Sequence, residues 1–283
     1  MKDKISKTIN SFLSLLKVLK NSTILLNVKG LRTTNKDCFV LGNGPSMNDD
    51  IKKGFSKFAN KEIFVANSFC LSDHYKTLKP KYYVLADPIY WNDGLCAERN
   101  RVMDGLVSST EWDINLFVPF FAKKSRFFDQ LPSRNKHIKV YYFNTTNIMD
   151  GFSGLDFMLY KKYLGMPVIQ NVLVGCVYLA LNIGFKKIYL LGADHSWHEH
   201  IVVDDNNVLC IQDSYNSFAA GPKLSPMLHP DGKSFKVDEL FLALSKMFKA
   251  HVILEGYSKT LGAKIYNVSS KSYIDAYERI KII

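Results

Sequence analysis

From Lys36 onward, short apolar segments alternate with stretches of helical length. Runs such as Cys38–Leu41 are apolar at consecutive positions, which is typical of strands that are buried on both faces of a parallel sheet. Strands are predicted at Cys38–Leu41, Ile63–Ala66, Tyr82–Ala86, Ile114–Val118, Ile138–Tyr142 and Ile188–Leu191, and helices near Asp50–Phe58, Leu95–Val107, Lys123–Gln130 and Asn171–Ile183. The pattern therefore predicts an α/β fold, with a Rossmann-like, mostly parallel sheet flanked by helices.

The alternation stops at about residues 196–233, a segment rich in Ser, Pro, Gly and aromatic residues. A connection of this length is usually a lid, a binding loop or a disordered segment. Its aromatic residues, such as Trp197, Tyr215 and Phe218, favour a lid over a binding site, and Tyr215 is predicted to bind substrate. The elements predicted after it are an amphipathic helix at Ser234–Lys249, a strand at His251–Leu254, a helical turn at Tyr257–Leu261 and an extended segment at Lys264–Val268.

The first 33 residues are predicted to form a basic amphipathic helix ahead of a Rossmann-like domain at residues 34–283. One helical face carries Ile5, Ile9, Phe12, Leu16 and Leu19, with Lys2, Lys4, Lys7, Lys17 and Lys20 around it. This pattern suits contact of residues 1–25 with an anionic membrane surface. Any surface helix is amphipathic, so the alternative is packing against the domain or against a second copy in a homo-oligomer.

Composition narrows the classes of partner. The chain has 283 residues, of which 47% are hydrophobic, and a formal net charge of +11. Such a charge suits nucleic acid, an anionic membrane or anionic substrates. No zinc-finger, ribonucleoprotein or basic-zipper pattern is present, so no nucleic-acid partner is expected.

Three further absences indicate the compartment. The five cysteines form no CxxC pair, the N-terminus does not resemble a signal peptide, and no apolar run reaches the ~20 residues of a membrane span. The sequence thus predicts a cytoplasmic protein, peripheral on the inner face of the membrane if the N-terminal helix binds lipid.

A turn rich in glycine follows the first predicted strand. Gly42 and Gly44 can adopt positive φ and allow close approach of a ligand, and Ser46 can cap a following helix. Exposed N–H groups at such a turn form a seat for phosphate. The turn residues Gly42, Asn43, Gly44, Pro45 and Ser46 are therefore predicted to bind substrate, with an ordinary Gly-Pro turn as the alternative.

Polar residues also follow three other predicted strands. They are Asn67 and Ser68, then Asp87, then Asp194 and His195. Ligands of open α/β sheets bind beyond the carboxyl ends of the strands, so these residues are predicted to line one crevice with the glycine turn. Asp194 is predicted to anchor a ligand hydroxyl or amide, and His195 to orient or polarise the substrate. At each position the alternative is a helix cap or a turn residue.

Two histidine-containing segments raise the question of catalysis. His195 and Glu199 have the i, i+4 spacing of metal ligands on a helix, but no helix is predicted there, so a dedicated metal site is not expected. His229 ends the predicted lid, from where it can close over the crevice. With an ordinary pKa of about 6.5, it is predicted to be the general base for an acceptor hydroxyl, a surface histidine being the alternative.

Two blocks of the sequence resemble a known superfamily. They are Leu41-Gly42-Asn43-Gly44-Pro45-Ser46, together with Asn67, and the run LALNIGFKKIYLLGAD at Leu179–Asp194. The combination resembles the bacterial sialyltransferases of glycosyltransferase family 42 and the proteins similar to archaeal-type 6-hydroxymethylpterin diphosphokinase. Both groups occur in surface-polysaccharide loci, and the similarity spans residues 36–200 and 229–268.

The sialyltransferase branch implies a lid, no required cofactor or metal, and transfer of sialic acid or a related nonulosonate from a CMP-sugar to a glycan, including a lipid-linked one. The resemblance assigns Asn43 and its glycines to the nucleotide, Asn67 and Asp87 to the nucleotide or donor sugar, and His229 to the base. Two features depart from it. Val168–Val172 replaces an Arg-Ile-Thr-Ser-Gly run, and Asp87 replaces an asparagine.

The sequence therefore predicts a glycosyltransferase of bacterial surface-glycan biosynthesis, acting on lipopolysaccharide or capsule with a nucleotide-sugar donor. The segment Gly192–Ser196 is closer to the pterin-kinase-like branch. One alternative is accordingly a pterin or nucleotide diphosphokinase in which Asp87 and Asp194 hold magnesium. The other is a non-catalytic nucleotide-sugar-binding subunit.

Overall fold

The computed structural model describes residues 1–25, 28, 30–54, 61–91, 97–125, 128–212, 224–229 and 232–281. Its main sheet contains β1 (Asp37–Leu41), β2 (Glu62–Ala66), β3 (Tyr82–Val84), β4 (Ile114–Pro119), β5 (Ile138–Phe143), β6 (Lys187–Leu191), β10 (Lys264–Asn267) and β11 (Glu278–Arg279). All neighbouring strands pair in parallel, in the order β11-β10-β6-β1-β2-β3-β4-β5. The predicted Rossmann-like sheet is confirmed.

Helices cover both faces of this sheet. They are α1 (Lys2–Asn21), α2 (Met47–Gly54), α3 (Tyr75–Leu78), α4 (Ala97–Ser109), α5 (Leu131–Arg134), α6 (Ser153–Lys161), α7 (Val172–Ile183) and α8 (Val237–Thr260). One core cluster joins the sheet to α6, α7 and α8, and the other joins it to α2 and α4. Since α7 is buried along almost its whole length, it forms the centre of the first layer.

The strand order reverses between β1 and β6. From β1 the chain proceeds outward through β2, β3, β4 and β5, whereas β6, β10 and β11 extend the sheet on the other side. Residues Asp37–Leu41 pair in register with Lys187–Leu191 across this point. In open α/β sheets a crevice opens at such a reversal, beyond the carboxyl ends of the two strands.

The C-terminal third differs from the sequence expectation. The predicted strand at His251–Leu254 is wrong, because these residues lie within α8, which continues to Thr260. Ala250, Leu254 and Tyr257 of this helix are buried against the core at helical spacing. A short apolar run cannot be assigned to a strand or to a buried helix by periodicity alone, which explains the error.

Two other regions also differ from the secondary structure predicted from the sequence. In place of a helix at Lys123–Gln130, the described residues form 3-10 turns at Phe120–Ser125 and Phe128–Gln130. Within 196–233, a 3-10 turn at Trp197–His200 leads into an antiparallel sheet of β7 (Ile201–Val203), β8 (Leu209–Gln212) and β9 (Leu224–Pro226). The insertion is therefore at least partly a small sheet.

The N-terminal helix packs on the domain through polar contacts. Ser11 Oγ accepts a hydrogen bond from the Phe152 amide at 2.9 Å. Just beyond the helix, Ser22 Oγ lies 2.7 Å from Thr146 Oγ1 and donates to the Leu164 carbonyl at 2.6 Å. Within the described ranges, no helix has the length and apolar character needed to cross a bilayer.

Candidate functional site

A cavity of about 660 Å³ opens at the carboxyl ends of β1, β2, β3 and β6, where the strand order reverses. This volume is typical of small-molecule sites. Among the residues predicted from the sequence, those lining it are Gly42, Asn43, Gly44, Asn67, Ser68, Asp87 and His195. The structure thus brings together strand ends that are far apart in sequence. That these residues bind substrate stays a prediction.

The glycines of the turn pack against the end of β6. The Gly42 amide donates to the Leu191 carbonyl at 2.8 Å, and the Gly44 amide donates to the Gly192 carbonyl at 3.0 Å. A Cβ atom at Gly42 would lie 2.4 Å from the Gly192 oxygen, and one at Gly44 would lie 2.5 Å from Asp194 Oδ1. Glycine is needed here because two segments of the protein approach each other closely.

Asp194 closes this arrangement from behind the cavity. Its side chain is only 1% exposed, and its two oxygens accept from the Ser46 amide at 3.0 Å and from Ser46 Oγ at 2.5 Å. Burial raises the pKa of Asp194, and the hydrogen bonds from Ser46 oppose that shift. We call Gly42, Gly44, Ser46, Gly192 and Asp194 the glycine corner.

Two of the site predictions fall on the glycine corner. The amides of Gly42, Gly44 and Ser46 donate to groups of the protein in this structure, and the phosphate seat stays a prediction. Asp194 anchors the turn at the start of α2, and its contact with a ligand group also stays a prediction. Its carboxylate occupies the helix N-terminus, which is where an anion is favoured. Pro45 and Ser46 are absent from the described lining of the cavity.

Two asparagine side chains in the cavity wall differ from the glycine corner, because each has a polar atom without a partner among the described residues. Asn43 Oδ1 and Asn67 Oδ1 are both buried, and neither has a hydrogen-bond partner among the described residues. The other amide atom of Asn43, Nδ2, donates to the Ala66 carbonyl at 3.2 Å, so the orientation of this side chain is fixed. Buried acceptors are nearly always paired, and an unpaired one calls for a specific explanation. We call Asn43 and Asn67 the amide pair.

The backbone at Asn67 and His195 is left-handed. Each has a φ of 53°, and each immediately follows the cavity end of a strand or its terminal turn. Tyr83 supports the first of these positions, since its hydroxyl donates to the Asn67 carbonyl and accepts from the Cys70 amide. Side chains held in sparsely populated backbone conformations concentrate at functional sites. Of the six non-glycine residues with positive φ in the described part of the chain, these two line the cavity.

His195 is held by a chain of hydrogen bonds that runs through His251 to Tyr277. Its Nε2 lies 3.0 Å from His251 Nε2, and His251 Nδ1 lies 2.9 Å from the Tyr277 hydroxyl. Burial lowers the pKa of His195 well below its usual value, and it lowers the pKa of His251 to about 3. Both rings are therefore neutral near pH 7. Because Nε2 is used, Nδ1 is the ring nitrogen of His195 that remains for a ligand.

The rest of the wall includes a segment that was not predicted and one aromatic residue of the predicted lid. The segment ahead of α7 contributes Ile169, Gln170 and Asn171, and Trp197 lies beside His195 with 5.1 Å between ring centroids. Asn171 caps α7 through its Oδ1, 2.8 Å from the Leu173 amide. A helix N-cap at the point where the apolar run begins is a signal that could have placed this segment at the site.

The cavity has little charge. Its described lining contains no lysine or arginine, and Asp87 is the one carboxylate. Asp87 is exposed at the rim, and its Oδ1 also accepts from the Ile89 amide at 3.0 Å, which caps the turn at Pro88–Tyr90. Across the described ranges, no three His, Cys, Asp or Glu side chains are grouped so that they could hold a metal ion.

Two predicted residues remain, His229 and Tyr215. His229 does not line the cavity; its Nε2 is 3.2 Å from Glu239 Oε2, and its ring stacks on Phe235 with centroids 3.6 Å apart. Its catalytic role stays a prediction. Tyr215 falls outside the described residues.

Comparison with known proteins gives a structural likeness and no sequence relative. No protein-family model matches the sequence, and no curated protein matches it. The chain is similar to the solved structure of the MAf glycosyltransferase from Magnetospirillum magneticum AMB-1, with a TM-score of 0.48 and 14% sequence identity. The match covers 93% of this chain and 37% of that one, so this chain spans little more than a third of its length. A likeness this distant carries no argument about activity.

Proposed function

We propose that this protein is a glycosyltransferase that uses a nucleotide-sugar donor, and that the donor is CMP-sialic acid or a related CMP-nonulosonate. The amide pair is the observation that carries the proposal. Asn43 and Asn67 line the cavity, and the buried Oδ1 atom of each lacks a hydrogen-bond partner among the described residues. In the proposed complex both side chains turn these oxygens to a ligand with N–H or O–H donors. A nucleotide base and sugar hydroxyls supply such donors, whereas an apolar ligand would leave both oxygens unpaired.

The weak charge of the cavity favours a donor with one phosphate. A CMP-sugar carries a single phosphodiester, whereas ATP carries a triphosphate that normally needs lysine, arginine or metal ions close by. None of the described lining residues is a lysine or an arginine. In the proposed complex Asn43 and Asn67 orient the nucleotide and sugar, and Asp87 at the rim accepts from a sugar hydroxyl.

Two histidines are candidates for the group that takes the acceptor proton. Burial lowers the pKa of His195 so far that it is a weak base, which suits a role in positioning the substrate through Nδ1. His229 is partly exposed and lies beside the Glu239 carboxylate, which can orient its ring. We assign the base role to His229, with the acceptor entering between this residue and the cavity.

In the proposed reaction the acceptor oxygen attacks the anomeric carbon of the donor sugar. The bond between that carbon and the phosphate oxygen breaks, CMP leaves, and the acceptor proton passes to His229. No metal is required for this step. The acceptor class is a glycan, including a lipid-linked one, of a bacterial surface polysaccharide.

The diphosphokinase alternative is less well supported by the donor set. It requires Asp87 and Asp194 to share magnesium, but both Asp194 oxygens already accept hydrogen bonds from Ser46, and the residue is absent from the described cavity wall. Using Asp194 as a ligand would disrupt the start of α2. The non-catalytic alternative makes the same binding predictions and differs only in turnover.

A ligand screen tests the proposal. Thermal unfolding and calorimetry are measured with CMP, CMP-sialic acid, UDP and ATP, each with and without magnesium, and CMP release from the donor is then followed. We expect CMP and CMP-sialic acid to raise the Tm without magnesium, and donor turnover to fall in His229→Ala. Stabilisation by ATP with magnesium alone would identify the kinase, and binding without any CMP release would identify the non-catalytic subunit.

A further inference from the structure

The N-terminal helix α1 is turned with its apolar side away from the protein. The residues it buries against the domain are Ser11, Ser14 and Val18, at positions i, i+3 and i+7. Its large apolar side chains are exposed instead: Ile5, Ile9, Phe12, Leu13, Leu15, Leu16 and Leu19, with Leu19 at 81%. An amphipathic helix normally buries its apolar side, so this orientation leaves an apolar surface to be covered.

A basic cavity adjoins the end of this helix. It has a volume of about 850 Å³ and is bordered by Lys17 and Lys20 of α1 and by Lys123 and Lys124 of the turn after β4. None of these four lysines forms an ion pair in the part of the chain that the structure describes. The half-exposed ring of Phe121 lies among them. Uncompensated cations beside an apolar surface favour an anionic partner with an apolar interior.

We propose that α1 and the basic cavity together form a docking surface for an anionic lipid bilayer. The exposed apolar row of α1 enters the boundary between headgroups and acyl chains. Lys17, Lys20, Lys123 and Lys124 bind headgroup phosphates. Because Ser11 and the Ser22 hydroxyl hold α1 on the domain, the helix presents this surface without needing to detach.

The docking surface also has a defined relation to the candidate site. All neighbouring strands in the sheet run parallel, so the carboxyl ends of β1, β2, β3 and β6 lie at the same edge as those of β4 and β5. The basic cavity includes residues that follow β4 and β5. If the proposed function holds, a lipid-linked acceptor in the bilayer would approach that edge. The docking itself does not depend on the proposed function.

Vesicle sedimentation of the full chain tests the apolar part of the surface. Vesicles of phosphatidylcholine are compared with vesicles in which phosphatidylglycerol replaces half of it. We expect binding to the anionic vesicles, and a loss of about tenfold or more for the triple variant Phe12→Ser, Leu16→Ser and Leu19→Ser. The matched control changes three exposed apolar residues of α8, in Phe241→Ser, Leu242→Ser and Val252→Ser, and should bind as the wild type does.

Charge variants test the basic part. Changing Lys17, Lys20, Lys123 and Lys124 to Gln should weaken binding by about fivefold per lysine. The control changes Lys76, Lys136, Lys139 and Lys246 to Gln, which alters the net charge equally at exposed sites elsewhere. Equal loss in both variants, or equal binding of neutral and anionic vesicles, would contradict the docking surface.

Sedimentation velocity without lipid tests the other possible partner of α1, which is a second copy of this chain. Should the α1 apolar variant convert a dimer to a monomer while vesicle binding stays unchanged, the helix binds a second copy and the lipid proposal is wrong. Far-UV circular dichroism confirms that each variant is folded. Nucleotide binding in the candidate site is measured in parallel, and failure of one proposal leaves the other readout intact.

Discussion

The glycine corner and the amide pair occupy the same edge of the sheet and differ in how their polar groups are used. In the glycine corner, the amides of Gly42, Gly44 and Ser46 and both Asp194 oxygens have partners within the protein. In the amide pair, two carbonyl oxygens are buried without partners in the described part of the chain. Satisfied groups stabilise the fold, whereas unsatisfied groups lower stability until a ligand binds. Mutations in the first should therefore affect stability, and those in the second should affect binding.

The largest expected effect is at Gly44. A Cβ atom there would lie 2.5 Å from Asp194 Oδ1 and 2.6 Å from the Gly192 oxygen, so Gly44→Ala should lower the free energy of unfolding by about 3 kcal/mol. Urea denaturation measures it. Gly154→Ala, a helical position where an added Cβ meets nothing within 4 Å, is the control and should unfold no more easily than the wild type. An unaffected Gly44→Ala would mean that the corner is not tightly packed.

Ser46 gives the next largest effect. Its hydroxyl donates to Asp194 and lies 3.2 Å from Asp50 Oδ2, so Ser46→Ala removes a partner from buried carboxylates. We expect the free energy of unfolding to fall by about 2 kcal/mol while the affinity for CMP is unchanged. Denaturation and calorimetry on the same preparation measure both. A weaker affinity with unchanged stability would place Ser46 in the binding site and remove the contrast with the amide pair.

The pH dependence of stability tests the buried state of His251, which contacts His195 of the cavity wall. The pKa of His251 is lowered to about 3, so below its ordinary pKa of about 6.5 the unfolded chain takes up a proton that the folded protein does not. Stability should therefore be lost as the pH falls from 6.5 toward 3, by about 1.4 kcal/mol per pH unit for this residue. His251→Gln should flatten the stability curve by that slope. Parallel curves for the two proteins would show that the folded His251 is protonated.

The smallest effect on stability is expected for Asn67→Gly. This variant tests the role of the amide pair most directly. Asn67→Gly keeps the left-handed backbone and removes the unpaired carbonyl, so the free energy of unfolding should be unchanged or slightly higher. The affinity for CMP should fall about 3- to 10-fold, which corresponds to one hydrogen bond. Asn67→Ala should weaken binding equally and also cost about 1–2 kcal/mol of stability, because φ is positive. Unchanged affinity in both variants would contradict the role of the amide pair.

Much of the fold was predictable because buried parallel strands carry a strong local signal. The predicted strands from Cys38–Leu41 to Ile188–Leu191 agree with β1 to β6 within two residues at each end. The same signal failed at His251–Leu254, where the apolar residues serve a helix. Seven candidate residues that follow those strands line one cavity, since parallel strands place their carboxyl ends at one edge.

The sequence did not predict which of those residues form hydrogen bonds within the protein. Ser46 and Asp194 are 148 positions apart, and neither segment by itself shows that the two residues bond to each other at the start of α2. Likewise, the apolar stripe of α1 is visible in the sequence, but its outward direction depends on contacts of Ser11 and Ser22 with residues more than 120 positions away.

By itself, the sequence determined to within two residues where β1 to β6 begin and end, which polar residues follow them and how apolar and basic positions alternate along α1. These are local properties of backbone conformation and side-chain polarity. Only the tertiary structure decided which donors are already satisfied, which oxygens remain unpaired and which side of α1 meets solvent. The reason is physical: hydrogen-bond satisfaction and burial are set by groups distant along the chain, and local patterns do not specify those partners.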